Sequence, residues 1–266
     1  LPMHSGAQGG WPLAWGDSTF GQVGDGSAAA RITPVQCLMR NTLSVAMGGN
    51  HSLARKNDGT VWAWGRNGSG QIGDGTTVDR NVPVMVGGIS GIVAVAAGDY
   101  YSLAVKSDGT VWAWGGNDSG QLGNGNTTDQ LSPVAVAGLT DVVAVAAGYA
   151  HSIAVRLDGT VWAWGRNTTG QLGDGTTVNR TSPVQVTGLS GVIAVGAGAN
   201  HSLALKSDGT VWAWGNNDYG QLGDGTTTSR TAPVQVTGLS GAATVTAGTY
   251  HSLAVRSDGT VWAWGC

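Results

Sequence analysis

Charged side chains make up only 11% of the 266 residues, against roughly 25% in ordinary globular chains. The 13 basic and 16 acidic residues leave a formal net charge of −3. No basic run stands out, so the electrostatic footprint of a nucleic-acid binder is missing. No apolar stretch is long enough to cross a membrane as a helix. Apolar residues nowhere recur at helical spacing, which leaves an all-β chain. The chain also lacks a phosphate-binding glycine loop ending in Lys-Ser/Thr, a calcium loop with its distal Glu, and a Ser-His-Asp set outside repeated positions. No enzymatic activity and no cofactor is therefore expected. Only two cysteines are present, Cys37 and Cys266. Two free thiols are expected, and a bridge tying the two ends of the chain together is the alternative. The first residue is Leu1, not Met, which is expected of a chain that has lost an upstream segment.

Glycine, by contrast, is abundant, with 46 residues at fixed offsets in turns. Those offsets come from a unit best seen at residues 201–225, HSLALKSDGTVWAWGNNDYGQLGDG, which returns at 51–75, 101–125 and 151–175. Its first half returns at 251–265. Trp64, Trp114, Trp164, Trp214 and Trp264 keep a constant interval of 50 residues. A fixed period of this size means supersecondary units that bury their faces against one another.

Each unit reads as four short strands. Strand A is small and apolar (GVIAVGAG from Gly191), strand B is HSLAL from His201, and strand C is VWAWG from Val211. Asp208-Gly209 between B and C predicts a two-residue hairpin turn with positive φ at both positions. A polar loop then leads to strand D at PVQV from Pro233, an outer strand that tolerates proline. Four antiparallel strands per unit make a propeller blade. The whole chain, 1–266, reads as one β-propeller domain of about six units: 1–42 partial, 43–91, 92–141, 142–191, 192–241, and 242–266 partial. Within the first, His4 to Ala7 resembles a decayed strand B. Five blades with a redundant segment at 13–16, or a piece of a larger ring, are the alternatives. Exposed strand edges invite aggregation, so the strand at 262–265 is expected beside the blade containing Pro34 to Cys37. Self-association through the unfinished end blades is the competing outcome.

The pattern G-x-x-H-S-L-A-L…D-G-x-V-W-A-W-G-x-N-x-x-G-Q-L-G-x-G resembles the repeat of the regulator of chromosome condensation propellers, densely over 43–265 and loosely over 12–42. The resemblance implies a propeller, usually of seven blades, so this chain departs in number. Relatives include an exchange factor for a nuclear GTPase, a plant ultraviolet photoreceptor, secreted bacterial β-lactamase inhibitors and scaffolds. The photoreceptor's Gly-Trp-Arg-His-Thr motif is missing, and no insertion offers a wedge against a GTPase. Near-identical repeats and the acidic balance place the secreted bacterial inhibitors closer in character, so a secreted or extracellular bacterial location is favoured.

Recurring polar residues have structural readings. His51, His151, His201 and His251, with Tyr101 at the fifth site, would diverge around the axis and cannot share one metal ion. The Trp pairs at i and i+2 lie on one face of strand C and fill the space between blades. Asp25, Asp74, Asp174 and Asp224 are followed six residues later by Arg31, Arg80, Arg180 and Arg230, whereas Asn124 is followed by Gln130. Charges lost together predict ion pairs holding the loop, replaced by an amide hydrogen bond in the exceptional unit.

The units differ from one another in two places, the A–B turn and the start of the C–D loop, which an up-and-down blade puts at the same end. Asp99, Tyr100, Tyr149, Asn200 and Tyr250 fall in the first, and Phe20, Arg166 and Tyr219 in the second. Aromatic and polar side chains on rigid strands suit a recognition surface. The expected partner is a protein or peptide. The rival readings are a carbohydrate-binding lectin and a self-assembling building block.

Overall fold

The W-A-W-G segment is strand C of every unit, and the residues on either side supply its partners. In the computed structural model, which describes residues 10–266, the first sheet holds two strands, β1 (Leu13–Gly16) and β2 (Arg31–Gln36). Four complete blades follow: β3 (Thr42–Met47), β4 (His51–Lys56), β5 (Val61–Gly65) and β6 (Arg80–Met85); then β7 (Ile92–Ala97), β8 (Tyr101–Lys106), β9 (Val111–Gly115) and β10 (Gln130–Ala135); then β11 (Val142–Ala147), β12 (His151–Arg156), β13 (Val161–Gly165) and β14 (Arg180–Gln185); then β15 (Val192–Ala197), β16 (His201–Lys206), β17 (Val211–Gly215) and β18 (Arg230–Gln235). The last sheet has three strands, β19 (Ala242–Ala247), β20 (His251–Arg256) and β21 (Val261–Gly265). All pairings within blades are antiparallel, as Leu203 opposite Ala213 in β16–β17 illustrates. The segment His4 to Ala7 lies outside the described residues.

The core sits between blades. Trp114 of one blade packs with Leu53, Val61, Ile72 and Val86 of the blade before it. Its indole Nε1 donates to the Gln71 carbonyl at 2.9 Å. A Cβ at Gly73 would stand 2.8 Å from that indole, so the glycine is the space the ring occupies. Trp164, Trp214 and Trp264 repeat the arrangement with Gln121, Gln171 and Gln221. Trp64 does so against Gln22 of the first sheet. A second bolt crosses each seam. His51 Nε2 lies 2.9 Å from Ser102 Oγ, and Ser102 in turn donates to the Gln71 carbonyl at 2.8 Å. The serine's only proton is thereby used, so the imidazole is the donor to it and carries its proton on Nε2. His151–Ser202 and His201–Ser252 match it. Tyr101, standing in the histidine place, donates instead to the carbonyl of His151. Blade-to-blade fastening is what His51, His151 and His201 do, while His251 on the last sheet is exposed.

Two expectations need correction. The B–C hairpin is a three-residue loop. Gly209 N donates to Lys206 O and Lys206 N to Thr210 O, both at 3.0 Å, and only Gly209 has positive φ, at 78°. Asp208 keeps negative φ because its carboxylate turns back to accept from Thr210 N and Oγ1, at 3.0 and 2.6 Å. This is a type I turn closed by a left-handed glycine. The two cysteines are free thiols, as expected. Cys37 is buried beside Trp64 and Met39, Cys266 is exposed, and burial pushes the Cys37 thiol up to about 11. The second correction concerns the ends, which do not meet among the described residues. There β21 is hydrogen-bonded to β20 alone, and β1 pairs only with β2. Trp15 is 64% exposed, Ile32 97% and Val261 68%. The fold is an open arc of four blades flanked by two partial sheets.

Candidate recognition face

Each C–D loop is built around an asparagine whose importance is not apparent from composition. Asn67 is fully buried. Its Nδ2 donates to Asp74 Oδ1, Thr76 O and Val78 O, and its Oδ1 accepts from Ile72 N at 2.9 Å. Asn117, Asn167 and Asn217 recur at the same offset and make the same contacts with Leu122, Leu172 and Leu222. That recurrence was the available signal. Asp74 then pairs with Arg80 at 2.5 Å, Asp25 with Arg31 at 2.5 Å, and Asp174 and Asp224 with Arg180 and Arg230 at 2.8 Å each. Burial pulls the Asp74 carboxyl upward, but hydrogen bonds from Thr76 and Arg80 outweigh it and leave it below the usual range. In the exceptional unit the expected amide bond between Asn124 and Gln130 is not made. Gln130 Nε2 donates to Thr128 O at 3.1 Å, because a neutral amide gains as much from the adjacent carbonyl as from its distant counterpart.

These loops and the A–B turns occupy one end of every blade, tied by bonds such as Gly116 N to Tyr100 O at 2.8 Å. The variable side chains sit on this platform. Arg66 lies over Phe20 at 5.0 Å and over Tyr100 at 5.1 Å. Tyr100 meets Tyr149 edge to face, with centroids 6.5 Å apart and planes at 88°. Phe20, Arg66, Tyr100 and Tyr149 therefore form one strip across successive units. Arg66 is the member that sequence reasoning left out, since one variable cation among several carries no mark of its neighbours. Tyr219 and Tyr250 form a second pair, 5.1 Å apart. Arg166 and Asn200 join neither group. Arg166 Nε donates to Thr168 Oγ1 at 3.1 Å, and Asn200 Oδ1 accepts from Gln171 Nε2 at 3.4 Å. Asp99 is half-buried beside Tyr149. Burial raises its carboxyl pKa, while Arg66 and a hydrogen bond from Tyr149 pull it the other way. Among the described residues no group of three or more His, Cys, Asp or Glu could hold a metal ion.

An arc of small strand ends, capped on one side by aromatic side chains from different blades, defines a propeller that presents a platform at one end. The chain belongs to the regulator of chromosome condensation (RCC1) repeat family, whose repeat matches residues 58–105, 108–155, 158–205 and 208–255. A second profile of the same repeat matches 43–71, 92–121, 142–171 and 192–221. No curated protein sequence matches the chain. Among solved structures, human WBSCR16 is similar over 95% of this chain and 73% of its own, at 24% identity and a TM-score of 0.83. Yeast RCC1 (Prp20), solved bound to Kap60, is similar over 98% of this chain and 81% of its own, at 21% identity and 0.67. The CRINKLY ectodomain of the Arabidopsis thaliana receptor kinase ACR4 covers 88% and 68%, at 18% and 0.53. At these identities the likeness is one of fold.

Proposed function

We propose that this chain is a non-catalytic binding propeller that docks a protein or peptide on the face formed by its A–B turns and C–D loops. The observation that carries the reading is the stacked strip of Phe20, Arg66, Tyr100 and Tyr149, drawn from successive units onto one end of the arc. Tyrosine and arginine carry interface energy more often than other residues because they combine large contact area with polar tips. Tyr149, Tyr219 and Tyr250 are exposed, while the strands beneath them are rigidly packed. At the opposite end the turns are uniform, each an aspartate accepting from the threonine two residues on, as Asp58, Asp108, Asp158, Asp208 and Asp258 do. The complex of yeast RCC1 with Kap60 supports the class of partner.

The test selects peptides from a randomised display library on the immobilised chain and measures their affinity for variants. Tyr100→Ala, Tyr149→Ala, Tyr219→Ala and Tyr250→Ala should keep the wild-type circular dichroism spectrum. The most sensitive of them should bind more weakly by about 1–3 kcal/mol. Ser107→Arg, Ser207→Arg and Ser257→Arg, at exposed turn positions on the opposite end, should bind as wild type does. Binding abolished by the serine variants and untouched by the tyrosine variants would place recognition on the wrong face.

A further inference from the structure

The five inner strands end around the axis of the arc, and their last residues enclose a shallow pit of about 260 Å³. Its wall is the ends of β3, β7, β11, β15 and β19 and the glycines that follow them. A belt of backbone hydrogen bonds holds those ends together across the seams: Gly49 N to Gly98 O, Asp99 N to Tyr149 O, Tyr149 N to Ala199 O and Ala199 N to Thr249 O, at 3.2 to 3.4 Å. The pit is therefore a formed feature of the packed blades. Alanine and glycine make most of its lining, with Met47 at one side, and Asp99 is the one ionisable carboxylate on it.

Asp99 differs from the aspartates at the repeat's structural positions. Asp74 and Asp174 in the C–D loops are paired with arginines, and Asp108 and Asp208 in the B–C turns accept from threonines. Among the described residues no Lys, Arg or His nitrogen lies within 4.0 Å of the Asp99 carboxylate. The nearby cation, Arg66, is engaged over Phe20 and Tyr100. The carboxylate crosses the seam to lie on the neighbouring blade, where any Cβ at Gly49 would collide with its Oδ1. A half-buried carboxylate with no cation in contact is costly unless a ligand supplies one.

We propose that the axial pit binds a protonated primary amine on a short apolar body, with the ammonium on Asp99 and the apolar part against the alanine and glycine wall. The raised carboxyl pKa of Asp99, caused first by burial and only partly offset by Arg66 and Tyr149, agrees with a carboxylate that has no cation in direct contact. A divalent metal would need several oxygen donors where the pit offers one carboxylate. A lysine side chain and the free N-terminus of a peptide both present the required chemistry. This inference rests on the reading that the loop face is the recognition face, and it names the group the partner would insert at its centre.

The test titrates the full 15N-labelled chain at pH 7 with three probes: Nα-acetyl-lysine amide, leucine amide with its free α-ammonium, and neutral Nα-acetyl-norleucine amide. One ammonium probe or both should saturably shift the amides of Gly49, Gly98 and Tyr149. The neutral probe should not. Asp99→Asn, which leaves the rest of the spectrum in place, should weaken that binding at least fivefold. Nα-acetyl-lysine amide acting alone assigns the site to a side chain, and leucine amide acting alone assigns it to a chain terminus. Equal shifts from the neutral probe, no shifts from any probe, or an Asp99→Asn variant that binds as wild type would each overturn the pit. If Tyr219→Ala and Tyr250→Ala still weaken selected peptides while no amine binds, the face stands and the pit alone falls.

Discussion

Three histidines are buried neutral, each in its own seam, and neutral is the only state the seam accepts. His51 Nε2 reaches Ser102, but Nδ1 of His51, His151 and His201 has no hydrogen-bond partner. A second proton would place an unpaired charge in an apolar contact. Burial lowers His51 and His201 to about 4 and His151 to about 3, with the His201 ring adding to the effect on His151. An unfolded chain takes up these protons below about pH 6.5, and the folded chain does not. Their contribution is thus intact above pH 6.5 and is lost as pH falls toward 4, on the order of 3 kcal/mol for each ring. The loop carboxylates, with pKa values below the usual range, lose theirs only at more acid pH. Between pH 7 and 4.5 the melting temperature should fall steeply, and His151→Gln should flatten that slope while lowering the starting value. Parallel slopes for the two proteins would show that the ring does not titrate on unfolding.

A strand is worth what lies on the other side of it. Trp114 and Trp15 occupy equivalent places in W-A-W-G and A-W-G, yet Trp114 is fully buried against the preceding blade and Trp15 is exposed. Trp114→Ala should cost about 3–5 kcal/mol. Trp15→Ala should stay within about 0.5 kcal/mol. Urea denaturation of both variants decides, and equal costs would mean that Trp15 is covered in solution. Much of this level was legible in the sequence. The period supplied the strands, the Asp–Arg spacing supplied the loop pairs, and the disagreements between units marked the A–B and C–D end. What was illegible depends on geometry that the period does not encode. Asp-Gly occurs in two-residue and three-residue hairpins alike, so the role of Ser207 as the first loop residue could not be read from the dipeptide. Arg66 meets Phe20 and Tyr100 only because adjacent blades turn by a particular angle about the axis. Ring closure failed as an expectation for the same reason, since matching strand types at the two ends says nothing about the distance between them.

Across the whole molecule, stability passes from neighbour to neighbour, as it does in any stacked array. Leu203, Leu205, Val211 and Ala213 of the fourth blade are fully buried in a cluster that includes Ala254, with Trp264 packed against it. The socket of the last sheet, by contrast, is not covered by another blade among the described residues, and Val261 stands in the open. Deleting residues 251–266 would uncover the fourth blade's apolar face and unlink Ser252 from His201 and from the Gln221 carbonyl. The melting temperature should drop. The loss should also be directional. Amide protons of β15–β18 should exchange faster, those of β11–β14 less so, and those of β3–β6 as in the intact chain, because opening spreads through the seams and the arc has no seam joining its ends. Equal loss of protection in β3–β6 and β15–β18 would show instead that the two ends are in contact in solution, and the open arc would have to be given up.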